Sequence, residues 1–191
     1  MALWLTGDPA ADDLLDRDPF ALLVGMLLDQ QMLIEAAFAG PRKLADRMGG
    51  LDPRRIAEAP PDEFADLAAT PPAIHRYPRN MATRVQALAR TVVEDYGGDA
   101  SRIWTDGDPD GATVLKRLEA LPGFGAQKAQ IFLALLGKQR ALAATGWREA
   151  APFYAEPGVY RSVADIVDAD SLTKVRTTKQ AAKAAARAAK R

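Results

Sequence analysis

The pentapeptide Leu121-Pro122-Gly123-Phe124-Gly125 is the stretch of this chain whose residue types and spacing most directly suggest chemistry. Two glycines one residue apart permit a turn too tight for residues that carry a Cβ. They also leave backbone N–H groups uncovered at the start of the helix that follows. Amides at a helix N-terminus, with the helix dipole behind them, hold anions, and phosphate is the usual one. Such a turn is either a sequence-independent grip on a nucleic-acid backbone or a plain corner between two helices; the pentapeptide alone leaves both open. Three other features stand beside it. Asp29-Gln30-Gln31 ends an apolar run, and a polar triplet there needs partners or a ligand. Lys128 falls on the first turn after the glycines, and Trp147, Phe153 and Tyr154 supply aromatic faces beyond it.

The elements that position these residues are helical. Upstream of the glycines, Val114, Leu115 and Leu118 share one face of a predicted helix; downstream, Ala129, Phe132, Leu133 and Leu136 recur at helical spacing. Asp18-Pro19 reads as N-cap and N1 of a helix through 20–28. That helix is apolar all round and is therefore expected to be central and buried. Helical spacing continues through 32–38 and 42–48, and short helices are expected after Asp52-Pro53 and over 61–67. A long helix spans 80–96, with Gly97-Gly98 as its C-cap. A linker covers 106–111, a connector 138–145 and a helix 146–154; Asp168-Ala169-Asp170 caps a last helix. His75 is expected at the surface. No alternating strand pattern occurs, so the expected class is all-α, with residues 1–171 as one domain of two helical lobes and 172–191 as a basic C-terminal helix or tail.

Composition narrows the chemistry. The 191 residues are 48% hydrophobic and contain no cysteine and one histidine. Disulfides, iron–sulfur clusters and thiolate zinc sites are excluded, and a metal site is not expected. No apolar run approaches the roughly 20 residues of a membrane span. The formal net charge is zero. The zero conceals a polarity. Seven Lys/Arg and no Asp or Glu lie in 172–191, whereas the first twenty residues hold Asp8, Asp12, Asp13, Asp16 and Asp18. The Ala- and Lys-rich last helix reads as a solvated terminal helix or as a basic arm on DNA.

The expected location is the cytoplasm, with nucleoid association if the basic arm binds DNA, and the chain is expected to be a monomer.

Taken together, Leu27-Leu28-Asp29-Gln30-Gln31, a long intervening helix, then Leu121-Pro122-Gly123-Phe124-Gly125 and Lys128-Ala129 resemble the helix-hairpin-helix (HhH-GPD) base-excision DNA glycosylase superfamily over roughly 18–137. With Gly146-Trp147-Arg148-Glu149 after the hairpin helix, the chain is more closely similar to a small cysteine-free, actinobacterial-type subfamily without the iron–sulfur cluster. The resemblance implies double-stranded DNA as partner. Its DNA-binding residues would be Gln30, Gln31, Leu121, Gly123, Phe124, Gly125, Gln127 and Lys128. It implies a nucleotide flipped into a pocket walled by Trp147, Phe153 and Tyr154, with Gln31 filling the gap. It implies no cofactor beyond a monovalent cation at the hairpin.

The chain departs from the family pattern at two positions. Where bifunctional members carry the lysine that attacks C1′, two residues after the second hairpin glycine, this chain has Gln127; Lys128 is about 100° further round the helix. Where the family's catalytic aspartate falls, about eighteen residues on, it has Thr145. The catalytic candidates are therefore Asp29, Glu149 and Lys128, with a carboxylate stabilising a cation-like C1′ or activating water. The expected function is a monofunctional base-excision glycosylase without lyase activity; the alternative is a helix-hairpin-helix DNA-binding protein that has lost the chemistry.

Overall fold

The computed structural model describes residues 2–189. Helices α1 (Pro9–Arg17) and α2 (Pro19–Leu28) meet at Asp18, whose carboxylate accepts hydrogen bonds from the Phe20 and Ala21 amides while Pro19 fills the first helical position. Burial of this capping carboxylate raises its pKa above the ordinary aspartate value, and the two backbone hydrogen bonds oppose that rise. Every residue of α2 from Phe20 to Leu28 is buried, as its all-round apolar sequence requires. Gly25 makes room for the Phe38 ring, because a Cβ there would stand 2.5 Å from Phe38 Cδ1.

Around α2 pack α3 (Ile34–Phe38), α4 (Gly40–Met48) and α7 (Pro78–Tyr96), and α7 in turn carries α5 (Pro53–Glu58) and α6 (Pro61–Ala69). A second group follows: α8 (Arg102–Thr105), α9 (Gly111–Glu119), α10 (Ala126–Gln139), α11 (Trp147–Ala150), α12 (Pro152–Ala155), a 3₁₀ turn (Val163–Asp165) and α13 (Ala169–Ala188). Here α10 is the central helix, with α9, α11, α12 and the 3₁₀ turn packed on it. One hydrophobic core runs through both groups. The described residues are helical or irregular, with no strand, so the fold is all-α.

Several elements differ from the sequence expectation. The patterning above predicts no helix before Asp18, yet α1 forms there, shaped by the acidic N-terminal cluster. Asp8 caps α1, and buried Asp12 accepts from the Leu5 and Thr6 amides and the Thr6 hydroxyl. The helix expected over 146–154 is broken in two at Ala151, because Pro152 has no N–H to continue it. The helical pattern at 32–38 begins only at Ile34, which leaves 29–33 as an irregular corner. The last helix begins at its expected cap: α13 starts at Ala169 after Asp168, and Leu172 and Val175 are buried.

Candidate functional site

The hairpin is seated directly on the end of α2. Leu121 and Phe124 are buried, and the Phe124 ring meets Phe132 edge-on at 6.0 Å, so the turn is anchored from below. Gly123 has φ +80°, and a Cβ there would lie 2.3 Å from Leu27 Cδ1. Glycine is required here both by conformation and by the close approach to α2. Gly125 differs. Its φ is −79°, which any residue adopts, and nothing lies within 4 Å of where its Cβ would be. Its effect is to keep the start of α10 bare; Gly125, Ala126 and Gln127 are all exposed, and no side chain caps this helix. Amides left uncapped and open in this way suit a phosphate.

The triplet after α2 divides into three roles. Asp29 is the C-cap residue, its N–H bonded to the Gly25 and Met26 carbonyls and its side chain only 10% exposed. Gln30 is fully engaged within the protein. Its Nε2 donates to Leu27 O at 2.9 Å, its Oε1 accepts from Arg84 at 3.3 Å, and its carbonyl accepts from His75 Nε2 at 2.8 Å. Gln31 is exposed and has φ +56°, a conformation that costs a non-glycine residue about 1 kcal/mol or more. A free amide on a strained, well-supported corner is thus presented to solvent beside the hairpin.

His75 is a correction to the sequence expectation. It is 3% exposed, not at the surface. Its Nδ1 accepts from the Tyr77 amide at 3.0 Å, which leaves the proton on Nε2 and fixes it as the donor to Gln30. The imidazole therefore holds the corner that carries Asp29 and Gln31.

Lys128 reaches across from α10 and caps α2. Its Nζ donates to Met26 O at 2.7 Å and Leu27 O at 3.0 Å, placing a cation at the negative end of the helix. Burial pulls its pKa down to about 8; the nearby Asp29 carboxylate opposes this, while Arg84 and Lys179 add to it. The consequence for stability has a definite sign. Between about pH 8 and 10.5 the unfolded lysine still holds the proton that the folded one has released, so stability contributed through this group rises with pH across that window. Below pH 8 both states are protonated and the slope vanishes. Relative to Lys128→Met, the wild-type protein is expected to gain stability between pH 8 and 10, at no more than about 1.4 kcal/mol per pH unit, in urea titrations at each pH.

Above Asp29 lies an open groove of about 590 Å3 between the 29–34 corner and α13. Met32, Leu33 and Ile34 form its apolar side, and Arg176, Lys179 and Lys183 its basic side. Lys179 Nζ is 3.8 Å from Asp29 Oδ2, and Arg176 pairs with Glu35 on α3. A largely buried carboxylate at the base of a basic groove is chemically apt for stabilising a developing cation or orienting water.

The remaining candidates lie elsewhere. Glu149 is exposed on α11. Trp147 is buried, 5% exposed, against Gly137, where a Cβ would stand 2.4 Å from the indole; Arg148 covers its ring at 4.4 Å. The groove that Trp147 lines is formed with Lys138, Tyr160 and Val167, apart from Asp29. Gln127 Nε2 donates to the buried Tyr154 hydroxyl at 2.9 Å, and exposed Phe153 stacks edge-on with Tyr154 and carries Arg161 over its face. These three form a patch at the start of α10. Thr145, at the position of the family aspartate, uses its carbonyl to accept the Gly111 amide at 2.7 Å. Among the described residues no group of three or more His, Asp or Glu side chains could hold a metal.

Sequence spacing did not point to His75, Arg84 or Lys179, which reach the corner from 45, 54 and 150 residues away. The one signal was compositional, the basic run that contains Lys179. A family model described as HhH-GPD superfamily base excision DNA repair protein matches residues 24–190, from within α2 through α13. No curated protein matches the chain.

Proposed function

We propose that this chain, which belongs to the HhH-GPD superfamily of base excision DNA repair proteins, is a monofunctional glycosylase acting on double-stranded DNA, with Asp29 as its catalytic carboxylate. The observation that carries this reading is Asp29 itself, 10% exposed at the base of the basic groove and set on the helix end against which the hairpin docks. The α10 amides hold a backbone phosphate, and Gln31 enters the stack where the target nucleotide has left it. As the bond from C1′ to the base breaks, the electron pair leaves with the base and C1′ becomes cation-like. Asp29 stabilises that charge and takes the proton of the attacking water, whose oxygen forms the new bond to C1′.

Lys128 has no part as nucleophile in this scheme, because its ammonium is spent on the Met26 and Leu27 carbonyls. A monovalent cation on the hairpin carbonyls would steady the turn without entering the reaction. Phe153 and Tyr154, beside Gln127, are proposed as contacts to a base, and Glu149 is the alternative carboxylate.

The test is a panel of duplexes carrying uracil, hypoxanthine, alkylated and oxidised bases, followed by alkali to cleave abasic sites. Scission of at least one duplex is expected, with no adduct trapped by borohydride. DNA binding with steep salt dependence but no scission on any duplex would establish the non-catalytic alternative. A trapped adduct lost in Lys128→Ala would overturn the monofunctional assignment. Gln31→Gly is expected to keep or slightly raise stability, since glycine accepts φ +56° without strain, yet to lower excision about tenfold. Denaturation midpoints and single-turnover rates separate the two effects.

A further inference from the structure

Helix α13 leaves the body of the protein after Arg176. Leu172 and Val175 are buried, whereas every residue over 177–189 is exposed. At about 1.5 Å per residue, the exposed part of α13 reaches roughly 18 Å, the axial length of about five base pairs. It buries no apolar face, so its alanines rather than tertiary packing sustain it. What it presents is charge. Arg176, Lys179, Lys183 and Arg187 recur at i, i+3, i+7 and i+11, within roughly 80° of one another about the axis. No Asp or Glu follows Asp170 in the sequence. Lys190 and Arg191 lie outside the described residues.

The stripe is rooted at the candidate catalytic carboxylate. Arg176 is fixed by Glu35, Lys179 stands 3.8 Å from Asp29, and Lys183 lines the same groove. The hairpin abuts this corner through Gly123 against Leu27 and through Lys128 on the last carbonyls of α2. A row of like charge along a straight helix, continuous with a second anion grip, is complementary to a polyphosphate backbone.

We infer that α13 is a second DNA-binding element whose stripe holds backbone phosphates of the strand that carries the target nucleotide. The choice of strand rests on the proposed role of Asp29; the binding itself does not. A sugar brought to Asp29 carries its flanking phosphates past Lys179 and Lys183, and a phosphate entering the groove replaces Asp29 as the partner of Lys179.

The experiment uses the full chain with Lys179→Gln, Lys183→Gln and Arg187→Gln combined, glutamine being a comparable helix former. Affinity for undamaged duplex DNA is read by fluorescence anisotropy from 50 to 200 mM salt. The slope of log K against log salt is expected to become shallower by about 2 to 3, at about 0.9 per phosphate contact, and affinity to fall at least tenfold at the low-salt end. Arg55→Gln with Arg90→Gln, on α5 and α7, is expected to leave the slope unchanged. An unchanged slope in the triple variant overturns the inference, and an acidic protein or lipid surface would then be the partner to seek. In a second duplex that carries a stable abasic-site analogue, neutral methylphosphonates beside that site are expected to abolish the triple variant's penalty when placed in the strand that carries it. If they do so only in the opposite strand, the strand assignment falls. None of these readouts needs turnover, so a protein that binds in this way yet excises nothing sinks the catalytic proposal and leaves the α13 contact standing.

Discussion

Replacing Asp29 by Asn is expected to lower the single-turnover rate of base excision by about 10²- to 10³-fold, with affinity for duplex DNA changed by less than about threefold. Asparagine keeps the shape of the side chain at the end of α2 and leaves the backbone cap to Gly25 and Met26 intact. It removes the negative charge that faces a cation-like C1′ and the acceptor for a water proton. Because the side chain is only 10% exposed, solvent cannot replace that charge. The proposed phosphate contacts on α10 and α13 are untouched, so binding is expected to persist. Glu149→Gln serves as the contrast: its carboxylate lies exposed on α11, and its removal is expected to change excision by less than about threefold. If the two outcomes are reversed, Glu149 is the catalytic carboxylate and Asp29 serves only the corner and its lysines.

Trp147→Ala is expected to destabilise the protein by about 3–5 kcal/mol in chemical denaturation, while excision per folded molecule at low temperature stays within about threefold of wild type. The indole is buried where α9, α10 and α11 converge. Gly137 lies against its ring, and Gly111 against its backbone, with a notional Cβ 2.3 Å from Trp147 Cα. Truncation leaves a cavity that backbone packed this closely cannot collapse to fill. Gly137→Ala tests the same packing from the other side, because its Cβ would meet the ring at 2.4 Å. A Trp147→Ala protein that keeps its stability but loses excision would make Trp147 a base-stacking wall, as the family resemblance implies.

The helices were largely legible in the sequence because their signals are local. Asp18-Pro19, Asp52-Pro53 and Asp168 cap helices where capping chemistry places them, and Gly97 ends α7 with φ +64°. The acidic cluster before Asp18 does not announce α1 in the sequence, because Asp12 is buried by bonds to backbone amides that only the folded N-terminus brings near. His75 was missed for the same reason. A lone histidine in a Pro-rich loop carries no pattern, and its burial depends on α2 ending beneath it.

The sequence by itself determined an all-helical chain, a central apolar α2 and a glycine hairpin with an uncapped helix start. These follow from periodicity, caps and the absence of a Cβ, which act within a few residues. Tertiary structure decided what each polar group does. Two glycines one residue apart suggest a tight turn that needs both, yet only Gly123 must be glycine, for its φ of +80° and for the close approach of Leu27. Lys128 looked like a phosphate contact or a displaced nucleophile, yet it caps α2 from 101 residues away. Of two adjacent glutamines, Gln30 is spent on Leu27, Arg84 and His75, while Gln31 is free. Helical periodicity sets which way a side chain points, but not what stands opposite it; that is fixed only when α2, α10 and α13 converge on one corner.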